Sequence, residues 1–376
     1  MAKPHITFHE SQPAKAQGLL AWLHIDLPLM MALLILVGIG LAILFSAGDK
    51  EMVLLHKQMV RLGFGFAVMV ILAQIHPDNF RRWSPWLYGL GILFLVLVIL
   101  FGELGKGAQR WLDLGFVRFQ PSEMFKLTLP MLIAWYLAEQ RLPPSPSRLI
   151  AAALFTVLPV ILIAKQPDLG TALLVGSGGA FALFLAGISW RLIAIGGVAM
   201  AAMGPVTWYL MHDYQRQRVL TFLNPESDPL GTGYHIIQSK IAIGSGGISG
   251  KGWLNGTQSH LEFLPERHTD FIFAVISEEF GLVGVVALLM LYLFIILRGL
   301  YIASQAQDTF GRILAGALSL IFFVYLFVNA GMVTGLLPVV GVPLPLISYG
   351  GTSLVTILAS FGILMSIQTH KKLLPT

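Results

Sequence analysis

Residues 264–270 form a polar cluster that stands directly before a long apolar run. They read LPERHTD, and the run begins FIFAV at residues 271–275. An aspartate in this position can cap a helix by accepting hydrogen bonds from its first backbone N–H groups. The same carboxylate, at the outer mouth of a membrane span, is also placed to take part in chemistry. We therefore keep two interpretations of Asp270, a helix cap and a functional carboxylate.

A second group of polar residues lies where another apolar segment begins. Residues 120–123 read QPSE, and proline and acidic residues are ordinary at the start of a helix. Lys126 is less ordinary, because it lies inside the apolar segment, three residues after Glu123. Residues spaced i,i+3 are neighbours on a helix, so we predict a buried Glu123–Lys126 pair, either structural or functional.

Three further carboxylates lie in or beside apolar segments. Asp168, within QPDLG at residues 166–170, is a helix cap or a functional group. Glu278 and Glu279 lie inside the run that follows Asp270, where a carboxylate is costly unless it is paired or faces a cavity. We expect these two either to pair with a buried base or amide, or to have a function.

Basic residues between the apolar segments suit an anionic ligand. Each alone is typical of a solvated surface, but together they could bind a diphosphate or a lipid headgroup. Those on the predicted outer side are Arg110, Arg118, Arg216, Arg218, Lys240, Lys251 and Arg267. The chain has no cysteine, and its histidines do not form a zinc signature, so we predict no structural metal.

The composition indicates which class of protein positions these residues. Of 376 residues, 56% are apolar and only 11% are charged, whereas soluble domains carry about 25% charged residues. Such a chain cannot cover its own surface in water, which excludes a soluble enzyme. Apolar runs of about 20 residues also exclude an outer-membrane barrel, whose strands alternate apolar and polar residues. The sequence predicts an all-α polytopic membrane protein, with no nucleic-acid partner.

Ten segments are apolar and long enough to predict membrane-spanning helices. Their approximate bounds are 27–47, 58–76, 86–102, 122–140, 149–164, 169–188, 191–211, 271–297, 312–335 and 346–368. They predict one membrane domain over residues 27–368, with tails at 1–26 and 369–376. Residues 19–23 of the first tail read LLAWL and could lie on the membrane surface. The large outer loop at 212–270 is rich in glycine, aromatic and charged residues, so we expect a functional loop.

The basic residues also predict an orientation. An even number of spans places both termini on one side, and that side includes Lys3, Lys15, Arg81, Arg82 and Lys371, as expected of the cytoplasmic face. Basic residues on the outer side need another explanation, which an anionic substrate supplies. We therefore predict that both termini are cytoplasmic.

The segment at residues 335–353 reads GLLPVVGVPLPLISYGGTS. Its prolines and glycines prevent one regular helix. Non-helical backbone at membrane depth is tolerated only where protein or a wet cavity covers it. We interpret the segment as a re-entrant wall of a groove for a lipid substrate, with Ser348 in its polar end. A hydrophobic outer loop is the alternative.

Together these segments resemble the SEDS family (shape, elongation, division and sporulation) over residues 20–370. The motifs that carry the resemblance are GAQRW at 107–111, QPSE at 120–123, QPDLGT at 166–171, NPESDP at 224–229, HTDFIF at 268–273 and PLISYGG at 345–351. Within the family, GTGYHIIQSK at 231–240, GWLNGTQS at 252–259 and Thr352 favour the elongation branch over the division branch.

The resemblance implies a peptidoglycan glycosyltransferase with ten spans in the bacterial inner membrane. Its substrate would be lipid II, a disaccharide-pentapeptide on undecaprenyl diphosphate, used on the periplasmic side. Its partner would be a class B penicillin-binding protein, which crosslinks the new strands. The family's catalytic aspartate corresponds to Asp270, which favours the functional interpretation of that residue.

The leaving diphosphate needs positive charge beside it. The candidates for binding the substrate and its diphosphate are Arg110, Lys126, Arg216, Arg218, Lys240, Glu123, Asp168 and Ser348. A divalent cation, Mg²⁺ or Mn²⁺, could share this task, although the sequence shows no dedicated cage for one.

Two other classes of function fit parts of the sequence. A transporter that flips lipid II would also have many spans, broken helices and intramembrane charges such as Lys126, Glu278 and Glu279. The second class is a non-catalytic scaffold of the elongation complex. A glycosyltransferase of the division branch is a further alternative within the family.

Overall fold

The chain, described by a computed structural model, is predominantly helical. The structure describes residues 23–105, 108–113, 118–140, 142–211, 213–227, 232–260, 263–264 and 266–371. The predicted surface segment at 19–23 lies outside the described residues except for Leu23. The end of the C-terminal tail, from residue 372, also lies outside them.

Thirteen α-helices, three short strands and one 3₁₀ turn (Pro225–Ser227) make up the described chain. The helices are α1 (Leu27–Ala47), α2 (Met52–Gln74), α3 (Pro77–Phe101), α4 (Pro121–Ala138), α5 (Pro146–Lys165), α6 (Leu169–Leu185), α7 (Trp190–Leu210), α8 (Asp213–Leu223), α9 (Thr232–Gly246), α10 (Thr257–His260), α11 (Ile272–Gln305), α12 (Thr309–Thr334) and α13 (Thr352–Thr369). The strands are β1 (Glu103–Gly105), β2 (Ala108–Asp113) and β3 (Arg118–Phe119).

Every predicted span contains a helix, although several bounds differ. α3 begins at Pro77 rather than near 86, because proline suits the first helical position and the His76 side chain caps the helix by accepting from the Asp78 N–H. α13 begins at Thr352 rather than 346, since residues 346–351 form turns that include Leu346 with a φ of 62°. The predicted outer loop at 212–270 contains α8, α9 and α10.

Seven described helices, α1, α2, α3, α5, α11, α12 and α13, are long and apolar enough to cross a membrane. α6 and most of α7 form shorter apolar helices. These helices make the chain a multi-pass membrane protein, as the composition predicts.

α12 lies at the centre of the bundle, where it packs against α4, α6, α9, α11 and α13. Asp308 caps its beginning by accepting from the Gly311 N–H at 3.2 Å, and Gly335 ends it in the left-handed conformation. Because most of α12 is buried, polar side chains on it must find partners inside the protein.

α11 is interrupted at Gly281, whose φ of 61° and ψ of −163° belong to a region open essentially to glycine alone. A loop that follows α9 fills this break. Backbone N–H groups of residues 251–252 donate to the carbonyls of residues 278–279 at 3.0 and 2.9 Å. Those of residues 282–283 donate to the carbonyls of residues 247–248 at 3.0 and 3.1 Å. The loop thereby satisfies the backbone groups that a broken helix leaves without helical partners.

The predicted outer loop before α4 folds into a small antiparallel sheet with the order β1-β2-β3. β2 carries Arg110 on the central strand. Gln120, directly after β3, is the N-cap residue of α4. The sheet therefore fixes Arg110 close to the start of α4.

We expect Gly281→Ala to destabilise the protein by roughly 1–3 kcal/mol, because alanine is strained in this backbone conformation. A Cβ at this position would also collide with the backbone of Ile248 and Gly250. Thermal unfolding in detergent measures the effect. Gly244→Ala in α9 is the matched control, since nothing lies within 4 Å of its Cβ position. Equal unfolding midpoints for Gly281→Ala and the unchanged chain would contradict the broken-helix geometry.

Candidate active site

Asp270 lies on a turn and not on the helix that follows it. Residues 266–271 form turns, and the N-cap residue of α11 is Phe271, which makes no side-chain capping hydrogen bond. The structure therefore does not place Asp270 in the N-cap position, which removes the main support for the helix-cap interpretation.

The backbone of this turn is held by three hydrogen bonds from elsewhere in the chain. The carbonyls of residues 268–270 accept, in order, from Tyr349 N at 2.8 Å, Ser348 Oγ at 2.5 Å and Asn329 Nδ2 at 2.9 Å. We call these three bonds the carbonyl clamp. They fix the main chain on both sides of the Asp270 side chain.

Residues 335–351, which we call the wall, have the non-helical backbone that the prolines and glycines predict. Gly335 and Gly341 have positive φ values of 75° and 73°. Tyr292 of α11 donates to the Pro345 carbonyl at 2.6 Å, and Ser348 Oγ also accepts from the Leu344 N–H at 2.8 Å. The wall is thus bonded to α11, to the Asp270 turn and to itself.

A cavity of about 210 Å³ opens beside the wall. Its charged and amide side chains come from β2, from α4 and from the residues directly before α4 and α6, and they are Arg110, Gln120, Glu123, Lys126 and Asp168. Gly341 lines the same cavity, and a Cβ built on it would lie 3.6 Å from Asp270 Oδ2. The structure therefore brings Asp270 to the edge of a cavity that four of the other predicted site residues share.

Arg110 is held beside the start of α6. Its Nη2 donates to the Pro167 carbonyl at 2.7 Å, and its Nε lies 3.9 Å from Asp168 Oδ2. Asp168 in turn accepts from Gln120 Nε2 at 2.9 Å and caps α6 by accepting from the Thr171 N–H at 3.3 Å. Asp168 is therefore both a helix cap and a carboxylate within ion-pair distance of Arg110.

The predicted Glu123–Lys126 pair forms at the floor of the cavity. Lys126 Nζ lies 2.5 Å from Glu123 Oε1 and donates a second hydrogen bond to the Tyr325 hydroxyl of α12. Both charged side chains are buried, with exposed fractions of 4% and 7%. Glu123 Oε2 has no hydrogen-bond partner among the residues that the structure describes. The pair consequently keeps a buried positive charge beside the cavity.

Known proteins match almost the whole of this architecture. A family model described as a cell cycle protein, FTSW_RODA_SPOVE, matches residues 19–373. The chain belongs to the SEDS family.

Two relatives of this SEDS chain distinguish the branches of the family. Over 352 residues it is 55% identical to the peptidoglycan glycosyltransferase MrdB of Escherichia coli K12, covering 93% of this chain and 95% of MrdB. Over 363 residues it is 39% identical to a probable peptidoglycan glycosyltransferase FtsW of Geobacter sulfurreducens, covering 92% and 96%. The predicted elongation branch is thereby better supported than the division branch.

Two solved structures share the fold. A chain of a peptidoglycan synthase complex, described as coordinating polymerization and crosslinking, matches with a TM-score of 0.80 and 33% identity. The match covers 92% of this chain and 99% of that one. The rod shape determining protein RodA of Thermus thermophilus matches with a TM-score of 0.71 and 30% identity, covering 93% and 99%. The helical multi-pass fold and the family predicted from the motifs are confirmed.

Three further predicted ligands of this SEDS chain, Arg216, Lys240 and Ser348, lie outside the cavity lining. Arg216 donates to the carbonyls of Trp208 and Tyr209 at 2.9 and 2.7 Å, at the end of α7. Lys240 is exposed on α9 and its side chain lies against Gly335. The side chain of Arg218 lies outside the described residues. Ser348 belongs to the carbonyl clamp, so its contacts are with the Asp270 turn.

Glu278 pairs with a base, as one of its two interpretations predicts. Its Oε1 accepts from Lys251 Nζ at 2.7 Å, Thr257 Oγ1 at 3.0 Å and the Gln258 N–H at 3.0 Å. Lys251, one of the predicted outer bases, belongs to the loop that fills the α11 break. Its side chain thereby links this loop to Glu278 of α11. The neighbouring Glu279 accepts a short hydrogen bond from Ser46 of α1.

Sequence reasoning missed Asn329, Tyr325 and Gln58, all of which support the site. Gln58 of α2 donates to the Ser348 carbonyl at 3.3 Å and accepts from the Gly350 N–H at 3.4 Å. Each is a polar or hydroxyl-bearing residue inside an apolar span, and such residues tend to face the interior of a bundle. That signal could have identified all three as residues with internal partners.

We expect Glu123→Gln and Lys126→Met each to destabilise the protein by about 3–5 kcal/mol, because each leaves one buried charge without its counter-charge. The double variant should lose less than the sum of the two. The free energy of unfolding in detergent and the polymerisation rate are measured for the unchanged chain, both single variants and the double variant. Lys57→Met, at an exposed position of α2, is the control for loss of one positive charge. Purely additive losses would show that the two residues act independently.

Proposed function

We propose that this chain is a peptidoglycan glycosyltransferase that joins the disaccharides of lipid II into β-1,4 glycan strands during cell elongation. Undecaprenyl diphosphate would be the other product. The observation that carries the proposal is the cavity in which Arg110 and Lys126 lie beside the turn of Asp270. The name of MrdB, a peptidoglycan glycosyltransferase, supports the activity, and the description of RodA as rod shape determining supports a role in elongation.

Asp270 would act as the general base of a single displacement. It would take the proton from the 4-hydroxyl of the acceptor sugar as that oxygen attacks the anomeric carbon of the donor. The bond from that carbon to the diphosphate oxygen breaks in the same step. An α-linked diphosphate that becomes a β-linked glycan has inverted its configuration, so no covalent enzyme intermediate is required.

The departing diphosphate develops negative charge, which fixed positive groups can stabilise. Arg110 and Lys126 would take this role, because both line the cavity and each lies beside a carboxylate, Asp168 or Glu123. Arg216, Arg218 and Lys240 remain candidates for contacts farther out, with the headgroup or the growing strand.

A divalent cation, Mg²⁺ or Mn²⁺, stays a proposal for the same electrostatic task. Among the described residues, no group of three or more His, Cys, Asp or Glu could hold a metal ion. The described side chains therefore do not form a cage for such an ion.

The proposed topology has ten spans, both termini in the cytoplasm and the cavity on the periplasmic face of the inner membrane. One contact supports it directly. His370, after α13, stacks on His24, before α1, with ring centroids 3.9 Å apart. His76, between α2 and α3, meets His370 edge-on at 5.3 Å. His24 before α1, His370 after α13 and the loop between α2 and α3 therefore lie on one side of the bundle.

A class B penicillin-binding protein is the proposed partner, since the polymerase described here contains no Ser-x-x-Lys transpeptidase motif. The similar chain from a complex that coordinates polymerization and crosslinking supports this. We expect purified chain alone to form glycan without peptide crosslinks. Digestion and mass analysis of the product test this, and crosslinked muropeptides made by the chain alone would contradict it.

Two alternatives, a lipid II flippase and a non-catalytic scaffold, are separated by one experiment. A detergent solution has no second compartment, so a flippase can carry out no transport there. Purified chain with lipid II in detergent should form glycan polymer only if it is an enzyme.

We expect Asp270→Asn to fold normally and still bind lipid II, but to lose polymerisation by a factor of about 10² or more, because an amide cannot accept the proton. Glycan formation is measured at equal protein concentrations, after the unfolding temperatures of the variant and the unchanged chain have been shown to match. The matched control is Asp308→Asn, which changes an aspartate that caps α12 and lies outside the cavity lining. Substantial activity of Asp270→Asn would exclude the general-base role.

A further inference from the structure

Asn329 is a fully buried amide in the C-terminal third of α12, where burial of an amide is costly unless it is hydrogen-bonded. Its Oδ1 has no hydrogen-bond partner among the described residues. Its Nδ2 donates one hydrogen bond to the Asp270 carbonyl at 2.9 Å and the other to the Val342 carbonyl at 2.8 Å. Both N–H groups therefore donate to backbone carbonyls, and neither carbonyl belongs to α12.

The two carbonyls come from the two parts of the chain that must meet at the cavity. One belongs to the proposed general base itself, and the other follows Gly341, the wall residue whose Cβ position is 3.6 Å from Asp270 Oδ2. Val342 and Gly341 both line the cavity. A single amide thus ties both the turn that carries the base and the wall that faces it to α12.

The other two bonds of the carbonyl clamp do not have this property. Tyr349 and Ser348 hold residues 268 and 269 from within the wall, so they move with it. Asn329 belongs to the central helix and binds the turn and the wall at once. Removing its amide would take one donor from each of two carbonyls and would detach the Asp270 turn and the wall at Val342 from α12.

We propose that Asn329 is a positioning residue for the reaction, which acts through Asp270 and does not contact the substrate. This inference rests on the proposed function. Its two hydrogen bonds hold the Asp270 carboxylate at the distance from the wall that proton removal requires. Misplacement of a reacting group by about 1 Å can cost about 10²-fold in rate, so loss of the amide should act mainly on kcat.

The test compares Asn329→Leu, which has the same branching of heavy atoms and no donor, with Asn329→Asp, which keeps the shape but not the amide. Initial rates of glycan formation from lipid II, per folded protein, give kcat and KM. We expect kcat to fall by about 10- to 100-fold and KM to change by less than about twofold. Ser319→Ala is the matched control, because Ser319 is a buried polar residue of the same helix that donates to the Ala315 carbonyl within it.

A second measurement separates positioning from a general loss of structure. In an Asp270→Asn background, Asn329→Leu should reduce the residual rate little further, because a residue that acts through the base has no effect once the base is gone. A structural role would give multiplicative losses instead. The Ser319→Ala control should retain its kcat in both backgrounds.

The outcomes decide between the two proposals. Wild-type kcat in both Asn329 variants, or multiplicative losses with Asp270→Asn, would overturn the positioning role and leave the glycosyltransferase proposal intact. High activity of Asp270→Asn alone would overturn the general-base role, and this inference with it. If neither Asn329 variant folds while Ser319→Ala does, the amide serves folding and the positioning role is rejected.

Discussion

Backbone groups buried inside a membrane protein must find partners within the protein, because hydrocarbon offers none. Two segments of this chain leave the helical pattern at the core of the bundle, the break of α11 at Gly281 and the wall. In the first, a loop after α9 supplies donors and acceptors to both helix ends. In the second, side chains of α2, α11 and α12 bind the carbonyls of the wall. The irregular backbone that surrounds the cavity depends on these bonds.

The charges at the cavity obey a related constraint. A buried lysine is costly to hold unless a carboxylate lies beside it, and Lys126 has Glu123 as this partner. Arg110, which is partly exposed, likewise lies beside the Asp168 carboxylate. The carboxylates also belong to helix starts, where negative charge is favourable. The same residues that begin α4 and α6 therefore hold fixed positive charge at the cavity. Charge fixed before the substrate arrives needs no reorganisation during the reaction.

The sequence predicts features that are local or periodic. Apolar runs located the helices, and the i,i+3 spacing predicted the Glu123–Lys126 pair, which the structure contains. Contacts between distant positions have no such signal. Lys251 and Glu278 are 27 residues apart, and Asn329 is 59 residues from Asp270, so only the folded chain shows that they meet. The break at Gly281 was equally hidden, because a glycine in an apolar run is common in membrane helices.

The position of Asp270 on a turn, just before a helix, has a physical consequence. On a helix, the direction of a side chain is fixed by the helix geometry. On a turn, a side chain can point in other directions, provided that hydrogen bonds hold the backbone of the turn in place. The carbonyl clamp holds residues 268–270, and the loop in the α11 break holds the far end of the short helical stretch at residues 272–280. Gly341 completes the arrangement, because its φ of 73° lets the wall turn close to the Asp270 carboxylate without a side chain between them. A glycine there is required on two grounds, since a larger residue would be strained and would also narrow the path from the carboxylate to the cavity.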